Sequence, residues 1–297
     1  MPSLPKIKVQ GDFFLNEDNS ESHYVGYSDF GLWKRFNMQD GPEALVRPLL
    51  QERRGLAEAA GYSGPLTARV FRYADPGNAF GMLPDQADFS KINAFLDMAA
   101  EYKVYIDWTC GDSQKPYMLP NVADQQLYIN TFCSKIERVC FFETCNQPFK
   151  NGNLPKNGVV PPISPWYLRD SGDYGDIGSG DGWPFHTSLD FISYHGTRDH
   201  NPGIRFPKWV MDLDDQIGTL RTHVGKPPVL KEPNGFSKHF ASQARYNDPY
   251  LAKLLGHRIA MGGVCFHSQL GLESNGFDAE HKEAFSNYCA GVAGALR

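Results

Sequence analysis

Short apolar, strand-like runs alternate with segments of helical periodicity along most of the chain. Each run ends in polar or helix-breaking residues, and the segments between carry apolar residues at helical spacing. Repeated βα units build a parallel sheet, and about seven or eight of them predict an α/β fold, a single-domain (β/α)8 TIM barrel over residues 1–297. A doubly wound sheet is the alternative. The runs are 66–71, 104–108, 139–142, 189–195, 229–233 and 263–268, and the helical segments are 43–60, 92–102, 125–138, 209–224, 249–255 and 280–296.

Two regions fall outside this alternation. Residues 1 to about 22 form a short N-terminal extension with a hairpin pattern, from Ile7–Val9 towards Phe13–Leu15. Residues from about 149 to 184 are dense in Gly, Pro, Asn, Asp and Ser, which predicts a long irregular loop. A loop of that length inside a compact domain is usually functional.

Charge and hydropathy exclude several classes of partner. The net charge is −5 and no cluster of Lys and Arg stands out, so no nucleic-acid partner is expected. No run approaches the roughly 20 apolar residues of a membrane span, and the first residues lack the apolar core of a signal peptide. We therefore expect a soluble protein without a membrane partner, secreted if a leader has been removed from this sequence. The oligomeric state is not indicated.

The residues that usually hold metals lack the usual spacing here. None of the six cysteines forms a Cys-x-x-Cys pair, which favours buried free thiols. None of the nine histidines forms a His-x-His pair. The acidic, glycine-rich stretch 173–182 lacks the register of a calcium loop. The sequence therefore predicts no metal and no cofactor.

Polar and aromatic residues recur where the predicted strands end. In a barrel enzyme the carboxyl ends of the strands carry the active site. Taken singly, each such residue is more often a satisfied structural group, but together they predict a site at one end of the barrel. These residues are Arg69, Trp108, Asn146, Gln147, Tyr194, His195, Glu232 and His267.

The run Phe141–Pro148 resembles the fourth-strand signature of clan A glycoside hydrolases, and most of all family 5, in which an aromatic-Glu-x-x-Asn-Glu-Pro run supplies the acid/base glutamate. The resemblance extends from about residue 24 to the end of the chain, and its motifs occur in the family's order. Arg69–Phe71 resembles the second-strand arginine segment, and Tyr194–His195 resembles the sixth-strand pair. Glu232 resembles the seventh-strand nucleophile. The segment 263–268 resembles the eighth strand, with His267 where the family often has Trp.

This resemblance implies a retaining endo-β-glycosidase that acts on a β-linked polysaccharide or oligosaccharide. Glu232 would be the nucleophile, and position 147 would be the acid/base site. Asn146 would bond the sugar 2-hydroxyl next to the nucleophile. Further substrate-binding positions would be Arg69, Tyr194, His195 and His267. Trp108 and Trp183 would be flat sugar platforms, and core packing is the alternative for each.

One residue departs from the family pattern. Position 147 holds Gln, and a carboxamide cannot transfer a proton at neutral pH. A retaining glycosidase needs two carboxyl groups about 5–5.5 Å apart, so hydrolysis should be impaired. The Gln is either an engineered replacement or a natural loss, or another carboxyl substitutes, with Glu143, Asp107 and Asp181 as candidates. The alternative function is therefore a catalytically inactive, carbohydrate-binding TIM-barrel protein.

Overall fold

The structure is a computed structural model. It describes residues 4–71, 87–109, 140–143, 167–170, 190–194, 225–231, 249–267 and 276–297, with single positions at 127, 131, 135, 136, 214, 217, 218 and 221. The described strands are β1 (Ile7–Gln10), β2 (Phe13–Asn16), β3 (Glu21–Ser22), β4 (Val25–Ser28), β5 (Leu66–Phe71), β6 (Val104–Thr109), β7 (Cys140–Glu143), β8 (Tyr167–Asp170), β9 (Ile192–Tyr194), β10 (Pro228–Leu230) and β11 (Gly263–Phe266). The described helices are α1 (Leu32–Phe36), α2 (Arg47–Ala59), α3 (Phe89–Glu101), α4 (Pro249–His257) and α5 (Ala279–Ala295).

Strands β4 to β11 form one sheet with the order β8-β7-β6-β5-β4-β11-β10-β9. Every pairing in it is parallel. The first of these strands, β4, pairs with the last, β11, so the sheet curls round on itself. This is the strand order of a (β/α)8 barrel, with no pairing of β8 to β9 among the described residues. The predicted α/β class with a parallel sheet is confirmed.

The predicted elements match the structure closely where both can be compared. The strand at 66–71 has the predicted bounds, and the helix predicted over 92–102 begins three residues earlier because the Asp88 side chain caps it by accepting from the Lys91 N–H. The helix predicted over 43–60 begins with a π-helical turn, Pro42–Val46, before α2. One expectation needs correction. Strand β8 lies inside the stretch 149–184, which the sequence predicts as an irregular loop, because a four-residue run among Gly and Pro carries little periodic signal.

Successive residues of a strand point to opposite faces of the sheet, and this alternation separates two apolar clusters. The larger cluster lies between the sheet and the helices and includes Ile106, Trp108 and Leu230. The smaller one lies on the inner face and joins strand residues to the N-terminal sheet: Ile7, Phe14, Tyr24, Tyr105, Phe141, Phe191, Val229 and Cys265.

The N-terminal extension folds as the antiparallel sheet β1-β2-β3, which confirms the predicted hairpin. Its Phe14 ring contacts the rings of Phe141 and Phe191 at centroid distances of 6.0 and 5.6 Å. The Tyr105 hydroxyl donates to the backbone oxygen of Pro5 at 2.7 Å. Because Tyr24 directly precedes β4 and Tyr105 is the second residue of β6, this small sheet covers the amino end of the barrel interior. The buried charged residues of the sheet lie towards the carboxyl ends of the strands.

Helices α4 and α5 pack at unusually short range. A Cβ at Gly291 would overlap the backbone oxygen of Lys253, and one at Gly256 would overlap that of Tyr288. The helices therefore touch backbone to backbone, which only glycine allows. No described helix is long and apolar enough to cross a membrane.

Candidate active site

Among the described residues, four charged side chains lie fully buried on the inner face of the sheet. They are two cations, Arg69 and Lys231, and two carboxylates, Asp107 and Glu143. Arg69 lies on β5, Asp107 on β6 and Glu143 at the end of β7, while Lys231 follows β10 directly. The cluster is electrically balanced, which buried charges require.

Arg69 and Glu143 form a bidentate ion pair. The Arg69 Nε and Nη2 donate to the two Glu143 oxygens at 2.7 and 2.8 Å, and the Thr109 hydroxyl donates to Oε2. Burial opposes ionisation of Glu143, but the charges of Arg69 and Lys231 and these hydrogen bonds outweigh it and lower the pKa of the carboxyl. Glu143 therefore stays ionised and cannot donate a proton as a general acid.

Lys231 reaches across the interior to the opposite strands. Its Nζ lies 2.7 Å from Oδ2 of Asp107 and 3.4 Å from Oε2 of Glu143. The Tyr24 hydroxyl donates to the same Asp107 oxygen at 2.5 Å. Burial, and then the charge of Asp107, raise the pKa of Tyr24 well above its usual value, so the phenol remains a donor. Asp107 thus forms an ion pair with Lys231 and accepts a hydrogen bond from Tyr24, an arrangement that suits a structural role better than that of a substitute acid.

The predicted binding residue His267 lies at the carboxyl end of β11, and its ring is buried. Nδ1 of His267 lies 2.8 Å from the Ser28 hydroxyl, which is also 3.7 Å from the Cys265 sulfur. Burial raises the pKa of the Cys265 thiol to about 12, so the thiol stays neutral. The structure brings His267 to the same end of the sheet as Arg69.

Two phenylalanines missed by the sequence analysis lie at this end. Phe30 and Phe71 stack with ring centroids 3.8 Å apart, and the Arg69 guanidinium carbon lies 5.2 and 5.1 Å from the two centroids. The His267 ring centroid is 5.5 Å from that of Phe30. Phe71 is only half-buried, whereas Phe30 is buried. The strand alternation predicts the position of Phe71, because a residue two positions after Arg69 lies on the same face of the sheet.

Trp108 is not a sugar platform. Its side chain is 0% exposed and contacts Trp33 and Phe95 edge-to-face, with both centroids 5.5 Å away. It points towards the helices because its neighbours in β6, Asp107 and Thr109, take the inner face. The core role that was its alternative is the one the structure supports.

Several predicted site residues lie outside the described part of the chain: Asn146, Gln147, Trp183, His195, Glu232 and the candidate acid Asp181. Tyr194 is described by its backbone alone, at the end of β9. The described strand ends nevertheless lie next to them in sequence. Glu143 precedes Gln147 by four residues, and Lys231 immediately precedes Glu232. Among the described residues, no group of three His, Cys, Asp or Glu side chains is placed to hold a metal ion.

Comparison with known proteins tests the fold independently. No protein-family model matches the chain, and no curated protein does either. Among solved structures, a β-glucanase from Saccharophagus degradans in complex with cellotetraose has a TM-score of 0.66 at 13% identity, over 98% of this chain and 94% of its own. The endo-1,4-β-mannanase of Rhizomucor miehei has a TM-score of 0.59 at 12% identity, over 96% and 98%. The endo-β-1,4-mannanase of Thermotoga petrophila has a TM-score of 0.58 at 15% identity, over 92% and 77%. The chain therefore shares its fold with these β-glycan-degrading barrels.

Proposed function

We propose that the chain is a retaining endo-β-glycosidase of the clan A type, acting on a β-linked polysaccharide or oligosaccharide. Glu232 is the nucleophile, and position 147 is the acid/base site. The observation that carries this proposal is the match of order: the segments that resemble the family begin in or directly after β5, β7, β9, β10 and β11, in the family's order, within a sheet that has barrel strand order. Similarity to mannanase and glucanase structures supports the substrate class.

In this mechanism the carboxylate of Glu232 attacks the anomeric carbon and forms a glycosyl-enzyme, which water then hydrolyses. Asn146 hydrogen-bonds the sugar 2-hydroxyl, and Tyr194 and His195 orient Glu232. Trp183 stacks on a sugar ring, while His267 and Arg69 complete the floor of the cleft. Position 147 protonates the leaving oxygen and then activates the water.

Gln147 removes this proton transfer from the present chain. General acid–base catalysis contributes about 10²- to 10⁴-fold, and hydrolysis should be slower by that factor. Replacement by Glu143 is disfavoured because that carboxyl is buried, ion-paired and held ionised by Arg69 and Lys231. Asp107 is disfavoured by its burial and its pairing with Lys231.

The same Gln147 favours a second candidate function, a catalytically inactive barrel that binds carbohydrate. An aryl glycoside with a very good leaving group separates the two, because its departure needs no acid. A functional Glu232 gives a burst of released phenol followed by a stalled glycosyl-enzyme. A binding protein gives no burst.

The decisive experiment compares the Gln147→Glu variant with the present chain on β-1,4-mannan, β-1,4-glucan and their oligosaccharides. We expect the variant to cleave one of them about 10²- to 10⁴-fold faster than the parent. The double variant Gln147→Glu, Glu232→Gln is the matched control and should be inert. If the present chain is already fully active, another carboxyl is the acid and the proposed site is wrong. If both chains are inert but bind glycan, the binding function is correct.

A further inference from the structure

Lys231 links strands that are not neighbours in the sheet. Strands β6 and β10 are separated in the sheet order by β5, β4 and β11, so the ion pair of Lys231 with Asp107 crosses the barrel interior. Both side chains are completely buried. An ammonium group in such a place is stable only between its anions, and this ties its position to theirs.

The link ends on the two strands that carry the proposed catalytic positions. Glu143 is the last residue of β7, and Lys231 follows the last residue of β10. The 3.4 Å between Nζ and Oε2 therefore connects the carboxyl end of one strand to that of the other. On the far side Arg69 holds Glu143 by two hydrogen bonds, so the carboxylate cannot turn to follow a displaced lysine.

We propose that Lys231 is a positioning residue, whose ammonium group between Asp107 and Glu143 sets the separation of the carboxyl ends of β7 and β10 and thereby that of positions 147 and 232. This inference rests on the proposed function. Retention requires the two carboxyl groups about 5–5.5 Å apart, and a displacement of roughly 1 Å can cost about 10²-fold in rate. A link one residue from the nucleophile acts directly on that distance.

The charge of Lys231 also acts on the carboxylates around it. Its removal leaves Asp107 and Glu143 with Arg69 as the remaining cation of the four-residue cluster. Less positive charge near the site raises the pH at which nearby carboxyl groups lose their protons. The acidic limb of the pH–rate profile should therefore move upwards, which a loss of folding stability alone would not cause.

The test uses the full chain with Gln147→Glu as the active parent and adds Lys231→Met, which keeps most of the length of the unbranched side chain and removes its charge. We expect kcat on the cleaved polysaccharide to fall about 10²-fold, KM to change much less, and the acidic limb to move to higher pH. Lys231→Arg restores the cation and should recover at least a tenth of the lost rate. Each variant is assayed well below its own melting temperature.

Gly291→Ala is the matched control, because it destabilises the packing of α4 on α5 away from the strand ends. It should keep the parent kcat at a temperature where it is folded. If the folded Lys231→Met variant retains kcat and the pH profile of the active parent, the inference is overturned while the proposed function stands. A parent inert on every substrate overturns both.

Discussion

Neutralising Glu143 by Glu143→Gln should destabilise the protein severely, although the substitution hardly changes the shape of the side chain. The Arg69 guanidinium, whose two nitrogens now bond two carboxylate oxygens at 2.7 and 2.8 Å, would face an amide with one accepting end. The amide nitrogen would meet donors from Thr109, Lys231 or Arg69. Removing one partner of a buried ion pair costs about 3–5 kcal/mol, a large part of the roughly 5–15 kcal/mol that stabilises a domain.

The control is the same chemical change at an exposed pair. Glu101 is 45% exposed and pairs with Arg47, and such pairs contribute about 0–1 kcal/mol. Urea denaturation at pH 7, followed by circular dichroism, gives the free energy of unfolding of Glu143→Gln, Glu101→Gln and the parent. If the two substitutions lower the free energy of unfolding by amounts that differ by less than about 1 kcal/mol, the reasoning is refuted, because burial would then not govern the energy of the pair.

The pH dependence gives a second readout of the same substitution. The pKa of Glu143 is lower in the folded protein than usual, because its cations and hydrogen bonds outweigh the effect of burial. Such a group stabilises the fold above its unfolded pKa, about 4.3, and this contribution is lost as the pH falls through the lower, folded value. The parent should therefore lose stability more steeply than Glu143→Gln below about pH 4.

Three further predictions follow from packing. Gly291→Ala should lower the melting temperature by many degrees because its Cβ would overlap the Lys253 backbone oxygen, whereas Gly55→Ala, with open space around a Cβ, should be neutral or stabilise by up to about 1 kcal/mol. Trp108→Ala should cost about 3–5 kcal/mol without changing the glycan affinity of the folded protein, which titration calorimetry would check. The Cys265 thiol should resist iodoacetamide at pH 8 until the protein is unfolded, as seen by mass spectrometry of its peptide.

The barrel can be predicted from local patterns in the sequence, and the predictions that are wrong also depend on local patterns. In β6 the residues Val104, Ile106 and Trp108 alternate with Tyr105, Asp107 and Thr109, a period of two that assigns the first three to the helix-facing side. The prediction of Trp108 as a sugar platform is wrong because this alternation places it on the helix-facing side. Strand β8 is not predicted because it is too short, among Gly and Pro, to show a period.

The charge cluster could not be predicted at all, for a different reason. Lys231 and Asp107 are 124 positions apart and meet only because the sheet curls until distant strands face one another. Nothing near Lys231 in sequence distinguishes a lysine that points into the barrel from one at the surface. The sequence predicts a substrate contact at Arg69 and a candidate acid at Glu143, but not that the two side chains pair. Their pairing needed the register of three strands.

The small N-terminal sheet has a consequence for synthesis on the ribosome. Its Phe14 packs on Phe141 and Phe191, and Asp12 pairs with Arg221 at 2.7 Å. This sheet is therefore translated long before the residues on which it packs. Before Phe141 and Phe191 are translated, Phe14 cannot pack on them, and the unfinished chain exposes an apolar hairpin. Nascent chains stalled before residue 191 should accordingly be bound by chaperones and cleaved within the segment Ile7–Ser22, while the completed chain resists both.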